Sequence, residues 1–183
     1  MAASPESHKN RARRILFVCT GNTCRSPLAE VLCKQLLCRS LGCESEELIS
    51  RGFVIQSAGV AAFPGDASTE LAIKVAAEYG ANLAGHRSRP VNSELLDQAT
   101  DVITMTRTHA MLLQYRFPGI GPNPVPLCGP DGDLPDPIGG DLAKYRACAE
   151  QIVQHLQRFL NEWISPPLES NRASSCSDVA DGV

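Results

Sequence analysis

Residues 18–27 read VCTGNTCRSP. The residues that lead into this stretch, 15–18 (ILFV), form a continuous apolar run, which is typical of a strand buried on both faces of a parallel sheet. Ser26 can cap a helix, Pro27 suits the first helical position, and apolar residues follow at helical spacing as far as residue 36. The stretch therefore predicts a strand, a loop over residues 19–25 and a helix that begins near Ser26.

The loop carries a cysteine and an arginine separated by five residues, Cys19 and Arg25. Backbone amides that wrap around one point at a helix N-terminus bind a tetrahedral oxyanion, and the planar fork of Arg25 can hold two of its oxygens. Gly21 and Asn22 tolerate the left-handed backbone angles that such a loop needs. These positive surroundings are expected to lower the pKa of the Cys19 thiol. The loop therefore predicts phosphatase chemistry at a nucleophilic sulfur.

The remaining strands and helices alternate along the chain. Apolar runs predict strands over residues 53–58, 101–105 and 125–127, the last limited by Pro126 to an edge position. Helical spacing predicts helices over residues 68–79, 92–99, 106–115 and 141–163. Such alternation is typical of an α/β fold with a parallel sheet covered on both faces, in which ligands bind beyond the carboxyl ends of the strands. Cys19 follows the first of those ends.

Composition excludes several classes of function. The 183 residues carry 17 Lys+Arg and 20 Asp+Glu, a net charge of −3 that disfavours a nucleic-acid partner. No apolar run is long enough for a membrane helix, and the polar N-terminus lacks a secretory signal. We therefore expect a cytoplasmic protein with mostly free thiols and no membrane partner. Residues 1–14 and 165–183 are expected to be disordered tails, because they have few large apolar side chains.

Residues 19–30, CTGNTCRSPLAE, resemble the signature of the low-molecular-weight protein-tyrosine-phosphatase family. Supporting segments follow in order along the chain, namely SAGV at 57–60, GHRSR at 85–89, DVITMT at 101–106 and DP at 136–137. The resemblance implies one phosphatase domain over residues 15–164. It also implies a four-stranded parallel sheet with helices on both faces and a phosphate-binding loop after strand 1.

The same resemblance assigns roles in the loop. Cys19 would be the nucleophile that forms a phospho-cysteine intermediate, and Arg25 would hold the phosphoryl oxygens. Ser26 would hydrogen-bond the thiolate, and Asn22 would hold the shape of the loop. The candidate substrate-binding residues are Thr20, Gly21, Asn22, Thr23, Cys24 and Ser26. No metal or other cofactor is expected, because the loop amides and Arg25 supply the positive charge.

Two further roles follow from the resemblance. Asp136, in the Asp-Pro motif, would be the general acid that protonates the leaving group, with Asp131 and Asp133 as its rivals. Cys24 either forms a disulfide with the oxidised nucleophile, as in some members of the family, or simply packs inward. Both interpretations of Cys24 stay open.

The substrates of such an enzyme would be phosphorylated proteins, and the sequence favours one side chain. Most tyrosine-specific relatives have an apolar residue where this chain has Thr23, and aromatic residues after Asp-Pro where it has IGG at 138–140. These departures resemble the bacterial protein-arginine-phosphatases, although Ile138 stands where some of those carry an aromatic residue. We therefore expect phosphoarginine, with phosphotyrosine as the alternative.

Two rivals keep the loop but change the function. An arsenate reductase would need resolving cysteines, for which Cys128 is the one candidate near the late loop. A binding module would capture phosphate without turnover, and it would not need Asp136. Both are disfavoured by the combination of Cys19, Arg25 and Asp136. The sequence predicts no particular oligomeric state.

Overall fold

The computed structural model describes residues 12–164, which form a parallel sheet with helices on both of its faces. The four strands lie in the order β2-β1-β3-β4 and are parallel throughout. They are β1 (Arg13–Cys19), β2 (Phe53–Gly59), β3 (Asp101–Thr104) and β4 (Val125–Pro126). The predicted fold class is confirmed, and Pro126 lies on an edge strand as its missing N–H requires.

Five α-helices connect and cover these strands. They are α1 (Arg25–Leu41), α2 (Glu70–Glu78), α3 (Ser93–Gln98), α4 (Arg107–Arg116) and α5 (Leu142–Ile164). Short 3-10 turns occur at Ser45–Glu47 and Gly129–Asp131. Each predicted helix is present. The ends of α2 to α5 lie within two residues of the prediction, whereas α1 continues to Leu41, five residues beyond the apolar spacing that predicts it. Among residues 12–164, no helix is both long and apolar enough to cross a membrane.

The central strand β1 explains why the sheet is buried on both faces. Ile15 and Phe17 belong to a core shared with α1, α2 and α5, whereas Leu16 and Val18 belong to a second core under α3 and α4. Alternate side chains of a strand point to opposite faces, so a strand between two helical layers must be apolar at every position. This is the reason for the continuous apolar run.

The ordered domain begins before the predicted boundary at residue 15. Arg13 and Arg14 are part of β1 and pair with Phe53 and Val54, although both were assigned to a disordered tail. The Arg13 guanidinium lies 5.1 Å from the centre of the Trp163 ring, a cation–π contact that long-range packing creates. The rest of the predicted tails, residues 1–11 and 165–183, lies outside the described residues.

The predicted cap of α1 is wrong. The helix begins at Arg25, its N-cap position is Cys24, and no side chain accepts a capping hydrogen bond there. The Ser26 hydroxyl is instead engaged by Cys19 and by the carbonyl oxygen of Ala58. Capping and sulfur-binding serines look alike in sequence, so the local pattern predicts a cap, whereas the family resemblance predicts the contact with Cys19.

Gly59 at the end of β2 brings two segments together. Its backbone lies beside Cys19, and a Cβ atom there would be 2.4 Å from the Thr20 carbonyl oxygen and 3.0 Å from the Asn22 amide nitrogen. Both are backbone atoms of the loop, so neither can move without deforming it. The residue must therefore lack a side chain for the loop to close.

We expect Gly59→Ala to destabilise the protein by about 1 to 3 kcal/mol, since overpacking forces the backbone apart. The free energy of unfolding in urea measures this cost, and inorganic phosphate affinity reports whether the loop has deformed. Gly85→Ala is the matched control, because a Cβ atom there meets nothing within 4 Å. Equal stability of the two variants would contradict the account.

Candidate active site

The loop after β1 encloses the sulfur of Cys19. The Asn22 backbone N–H donates to Cys19 Sγ at 3.3 Å, and the Ser26 Oγ atom lies 2.9 Å from the same sulfur. Cys19 itself is only 3% exposed. The turn between β1 and α1 therefore directs backbone and side-chain donors at one atom, at the N-terminal end of a 17-residue helix.

The shape of the loop depends on Asn22. This residue has a φ of 55°, in the left-handed region, and its side chain is completely buried. Its Nδ2 group donates to Ser26 Oγ at 3.0 Å and to Ser57 Oγ at 2.9 Å, while its Oδ1 accepts the Arg89 N–H at 3.0 Å. Asn22 thus ties the loop to α1, to β2 and to the segment after α2.

Other residues that hold Asn22 were not given roles from the sequence. Ser57 donates to Glu30 Oε2 at 2.7 Å, and His86 Nε2 lies 2.8 Å from the Asn22 carbonyl oxygen. Arg89 also donates from its side chain to the Ser57 carbonyl oxygen at 2.9 Å. Ser57, His86 and Arg89 lie in segments that matched the family pattern, and that match was the only signal for them.

Arg25 is the buried cation of the site. Its Nη1 donates to the Leu134 carbonyl oxygen at 3.2 Å, and its Nη2 donates to Thr20 Oγ1 at 3.5 Å and to Asp136 Oδ2. The guanidinium is 6% exposed and the Asp136 side chain 39% exposed. The ion pair therefore has a buried and an exposed partner, so the carboxylate covers the guanidinium from the solvent side.

Of the three candidate aspartates, only Asp136 reaches the loop. Asp133 accepts from the Arg107 N–H at 2.8 Å, and Asp131 pairs with Arg158 at 3.0 Å. The Asp136 carboxylate also accepts the Ile138 N–H at 3.2 Å, which fixes it in the turn after the Asp-Pro motif. The geometry thus separates Asp136 from its two rivals.

The remaining loop residues differ in what they face. Thr20 is exposed, Gly21 and Thr23 are half-buried, and Cys24 is buried with its sulfur 3.3 Å from Tyr145 Oη and 3.4 Å from Thr69 Oγ1. Burial raises the pKa of the Tyr145 hydroxyl to about 12. Cys19 and Cys24 are both free thiols in this structure.

The expected decrease in the pKa of Cys19 does not occur here. Burial raises the pKa of the thiol, and this effect exceeds the opposing hydrogen bonds from Ser26 and Asn22 and the charge of Arg25. The physical reason is that the sulfur is withdrawn from water, which would otherwise solvate a thiolate. The positive loop alone therefore does not guarantee a thiolate.

Comparison with known proteins gives a consistent result. Residues 14–165 match the family of low molecular weight phosphotyrosine protein phosphatases. A protein-arginine-phosphatase of Geobacillus stearothermophilus is 38% identical over 150 residues, which cover 80% of this chain and 93% of that protein. The low molecular weight protein-tyrosine-phosphatase PtpB of Staphylococcus haemolyticus is 32% identical over 146 residues, or 76% of this chain and 92% of that protein.

A solved structure agrees with the sequences. The YwlE arginine phosphatase, in a cysteine-to-serine mutant with a phosphorylated active site serine, has a TM-score of 0.74 at 30% identity. The alignment covers 84% of this chain and 97% of that one. Since the family pattern, the sheet order and the loop after β1 all agree over most of the chain, the protein belongs to the family of low molecular weight phosphotyrosine protein phosphatases.

Proposed function

We propose that the protein is a cysteine-dependent phosphoprotein phosphatase that acts on phosphoarginine in proteins. The observation that carries the proposal is the enclosure of the Cys19 sulfur by loop donors, with Arg25 and Asp136 in contact beside it. These are the three groups that phosphoryl transfer to sulfur requires: a nucleophile, a cation for the phosphoryl oxygens and an acid for the leaving group.

The first chemical step transfers the phosphoryl group to the enzyme. The Cys19 thiol proton first passes to the Asp136 carboxylate, so that the sulfur becomes a thiolate and the carboxyl group an acid. Cys19 Sγ then forms a bond to phosphorus while the bond from phosphorus to the substrate nitrogen breaks, and Asp136 gives that proton to the nitrogen. In the second step Asp136 takes a proton from water, the water oxygen attacks phosphorus, and the S–P bond breaks. Phosphate leaves, and Cys19 is regenerated as a thiolate with its electron pair.

The Ser26 hydroxyl is suited to stabilise that thiolate. Ser26 has one proton and can direct it to the Ala58 carbonyl oxygen at 3.2 Å or to the Cys19 sulfur at 2.9 Å. With a neutral thiol, the sulfur donates to Ser26, which donates onward to Ala58. With a thiolate, the serine proton turns to the sulfur, and Asn22 Nδ2 holds the oxygen in place at 3.0 Å in both states.

Substrate binding must open the pair between Arg25 and Asp136. The phosphoryl oxygens are the natural replacement for the carboxylate, because a guanidinium binds either anion in the same planar manner. Asp136 is then free to protonate the leaving group. Its 39% exposure lets the side chain move without unpacking the core.

The preference for phosphoarginine is supported by the residues around the loop mouth. Ile138 is 62% exposed after the Asp-Pro motif, so no aromatic side chain follows Asp136 to stack on a phenol ring. Thr23 is half-buried and polar, and the negative Asp136 suits a guanidinium leaving group. The similarity to protein-arginine-phosphatases points the same way. Phosphotyrosine is the second candidate, supported by the similarity to tyrosine phosphatases.

The proposal includes the cytoplasm as location and phosphorylated proteins as partners. A catalytic thiol has to stay reduced, which a reducing compartment ensures. The rival role of arsenate reductase is not supported by Cys128. Its side chain is buried after the edge strand β4, whereas Asp136, an acid that a reductase would not need, contacts Arg25 in the loop.

The first prediction separates an enzyme from a binding module. We expect Cys19→Ser to abolish phosphate release while inorganic phosphate still binds, because the loop amides and Arg25 remain. Asp136→Asn should lower kcat about 100-fold or more, since the acid is lost. Asp131→Asn is the control, because Asp131 pairs with Arg158 on the surface and should leave kcat unchanged. Turnover near the wild-type rate in Cys19→Ser would refute the mechanism.

The second prediction concerns substrate preference. Phosphate release from a phosphoarginine peptide and from the matching phosphotyrosine peptide should differ by at least about tenfold in kcat/KM, in favour of phosphoarginine. Thr23→Ile should shift this ratio toward phosphotyrosine, because an apolar wall favours a phenol ring. Thr108→Ile, the same change at an exposed position of α4, should leave the ratio unchanged. A preference for phosphotyrosine in the wild-type protein would overturn the proposed substrate but not the phosphatase reaction.

A further inference from the structure

A buried histidine outside the phosphate-binding loop touches the loop by its side chain. His109, in the first turn of α4, is 5% exposed. Its Nε2 lies 2.9 Å from Thr20 Oγ1, and its Nδ1 lies 2.9 Å from Thr106 Oγ1. The imidazole therefore bridges the N-cap of α4 and the first residue after Cys19.

Hydrogen-bond accounting at Thr106 favours one imidazole tautomer. Thr106 caps α4, and its Oγ1 accepts the backbone N–H of His109 at 3.2 Å. The Thr106 hydroxyl can then donate its own proton to His109 Nδ1, which accepts it when that ring nitrogen is unprotonated. In that tautomer the ring proton of the neutral imidazole lies on Nε2 and points at Thr20.

The same accounting at Thr20 leaves one proton without a partner. Thr20 Oγ1 accepts from His109 Nε2 at 2.9 Å and from Arg25 Nη2 at 3.5 Å, so both of its lone pairs are used. Its own proton has to point away from both donors. Because Thr20 is exposed and lies beside the guanidinium that binds the phosphoryl group, the proton is available to a phosphoryl oxygen.

We propose that His109 is a positioning residue that orients the Thr20 hydroxyl as a hydrogen-bond donor to the phosphoryl group bound at Arg25. His109 acts only through Thr20 and does not touch the substrate. The inference rests on phosphoryl binding in the loop, but it does not depend on whether the substrate is phosphoarginine or phosphotyrosine.

The surroundings of His109 keep the imidazole neutral, as this role requires. Burial and the charge of Arg25 lower the pKa of His109 to about 4, and the carboxylates of Asp136 and Asp133 oppose this only in part. A protonated ring would place a second cation beside Arg25. Since the ordinary pKa is about 6.5, the folded protein binds fewer protons than the unfolded chain between those values. The contribution of neutral His109 to the free energy of unfolding is therefore fully present above pH 6.5 and is lost as the pH falls toward 4.

Two substitutions of His109 distinguish the roles of its two ring nitrogens. The amide of Gln can place an N–H near the position of Nε2, whereas that of Asn reaches only the position of Nδ1. We expect His109→Asn to weaken inorganic phosphate binding and to lower kcat/KM on an aryl phosphate, each about tenfold. His109→Gln should recover most of both. His155→Asn on α5 is the control and should change neither.

A double-mutant cycle with Thr20 tests the route of the effect. Thr20→Val removes the hydroxyl and should weaken phosphate binding as much as His109→Asn does. The double variant should lose no more phosphate affinity than either single variant. Thr20→Ser, which keeps the hydroxyl, should recover most of the phosphate affinity that Thr20→Val loses. The Thr20 variants leave the core beneath α4 intact, so they test the hydrogen bond even where His109→Asn does not fold.

The outcomes are distinct. Equal and non-additive losses of phosphate affinity in Thr20→Val and His109→Asn, with recovery in His109→Gln, support the proposal. Additive losses, or a His109→Gln variant as weak as His109→Asn, would show that His109 only supports the packing of α4. Because inorganic phosphate is the probe, neither result depends on the identity of the phosphorylated substrate.

Discussion

The buried amide of Asn22 is the interaction on which the site depends. Three of its hydrogen bonds join the loop to Ser26, Ser57 and the backbone of Arg89, and its left-handed backbone turns the Asn22 N–H toward the Cys19 sulfur. An unpaired buried amide group would cost about 1 to 3 kcal/mol, so these partners hold each other in place. The oxyanion site is therefore preorganised by hydrogen bonds within the protein.

The fold places this network at the carboxyl edge of the sheet. The carboxyl ends of β1 and β2 meet there, so that Cys19 and Gly59 are neighbours and the loop packs directly on the β2 backbone. The first turn of α1 brings Arg25 and Ser26 to the same point. His109 and Thr106 approach from α4 on the other side of β1. Helices from both faces of the sheet thus contribute to one sulfur atom and one cation.

Local signals in the sequence predicted the elements and the loop because apolar periodicity and the cysteine–arginine spacing are short-range features. The start of β1 at Arg13 could not be predicted, since it depends on pairing with Phe53 and on Trp163, which lies 150 residues away along the chain. The local pattern around Ser26 predicts only a helix cap, and its contact with Cys19 is predicted by the family resemblance rather than by its place before a helix.

The raised pKa of Cys19 is the clearest difference between expectation and structure. The positive loop is expected to favour the thiolate, but burial disfavours a charge on the sulfur and outweighs both the hydrogen bonds to it and the charge of Arg25. The guanidinium also contacts Asp136, so the cation and the acid of the site form one ion pair.

The central claim is that the phosphoryl group passes through the Cys19 sulfur. Rapid quenching of Asp136→Asn during reaction with a phosphoarginine peptide, followed by proteolysis and mass spectrometry, tests it directly. Loss of Asp136 slows hydrolysis of the intermediate, so one phosphoryl group should be found on Cys19. A phosphoryl group on Cys24 or Ser26, or phosphate release with none on the protein, would contradict the account.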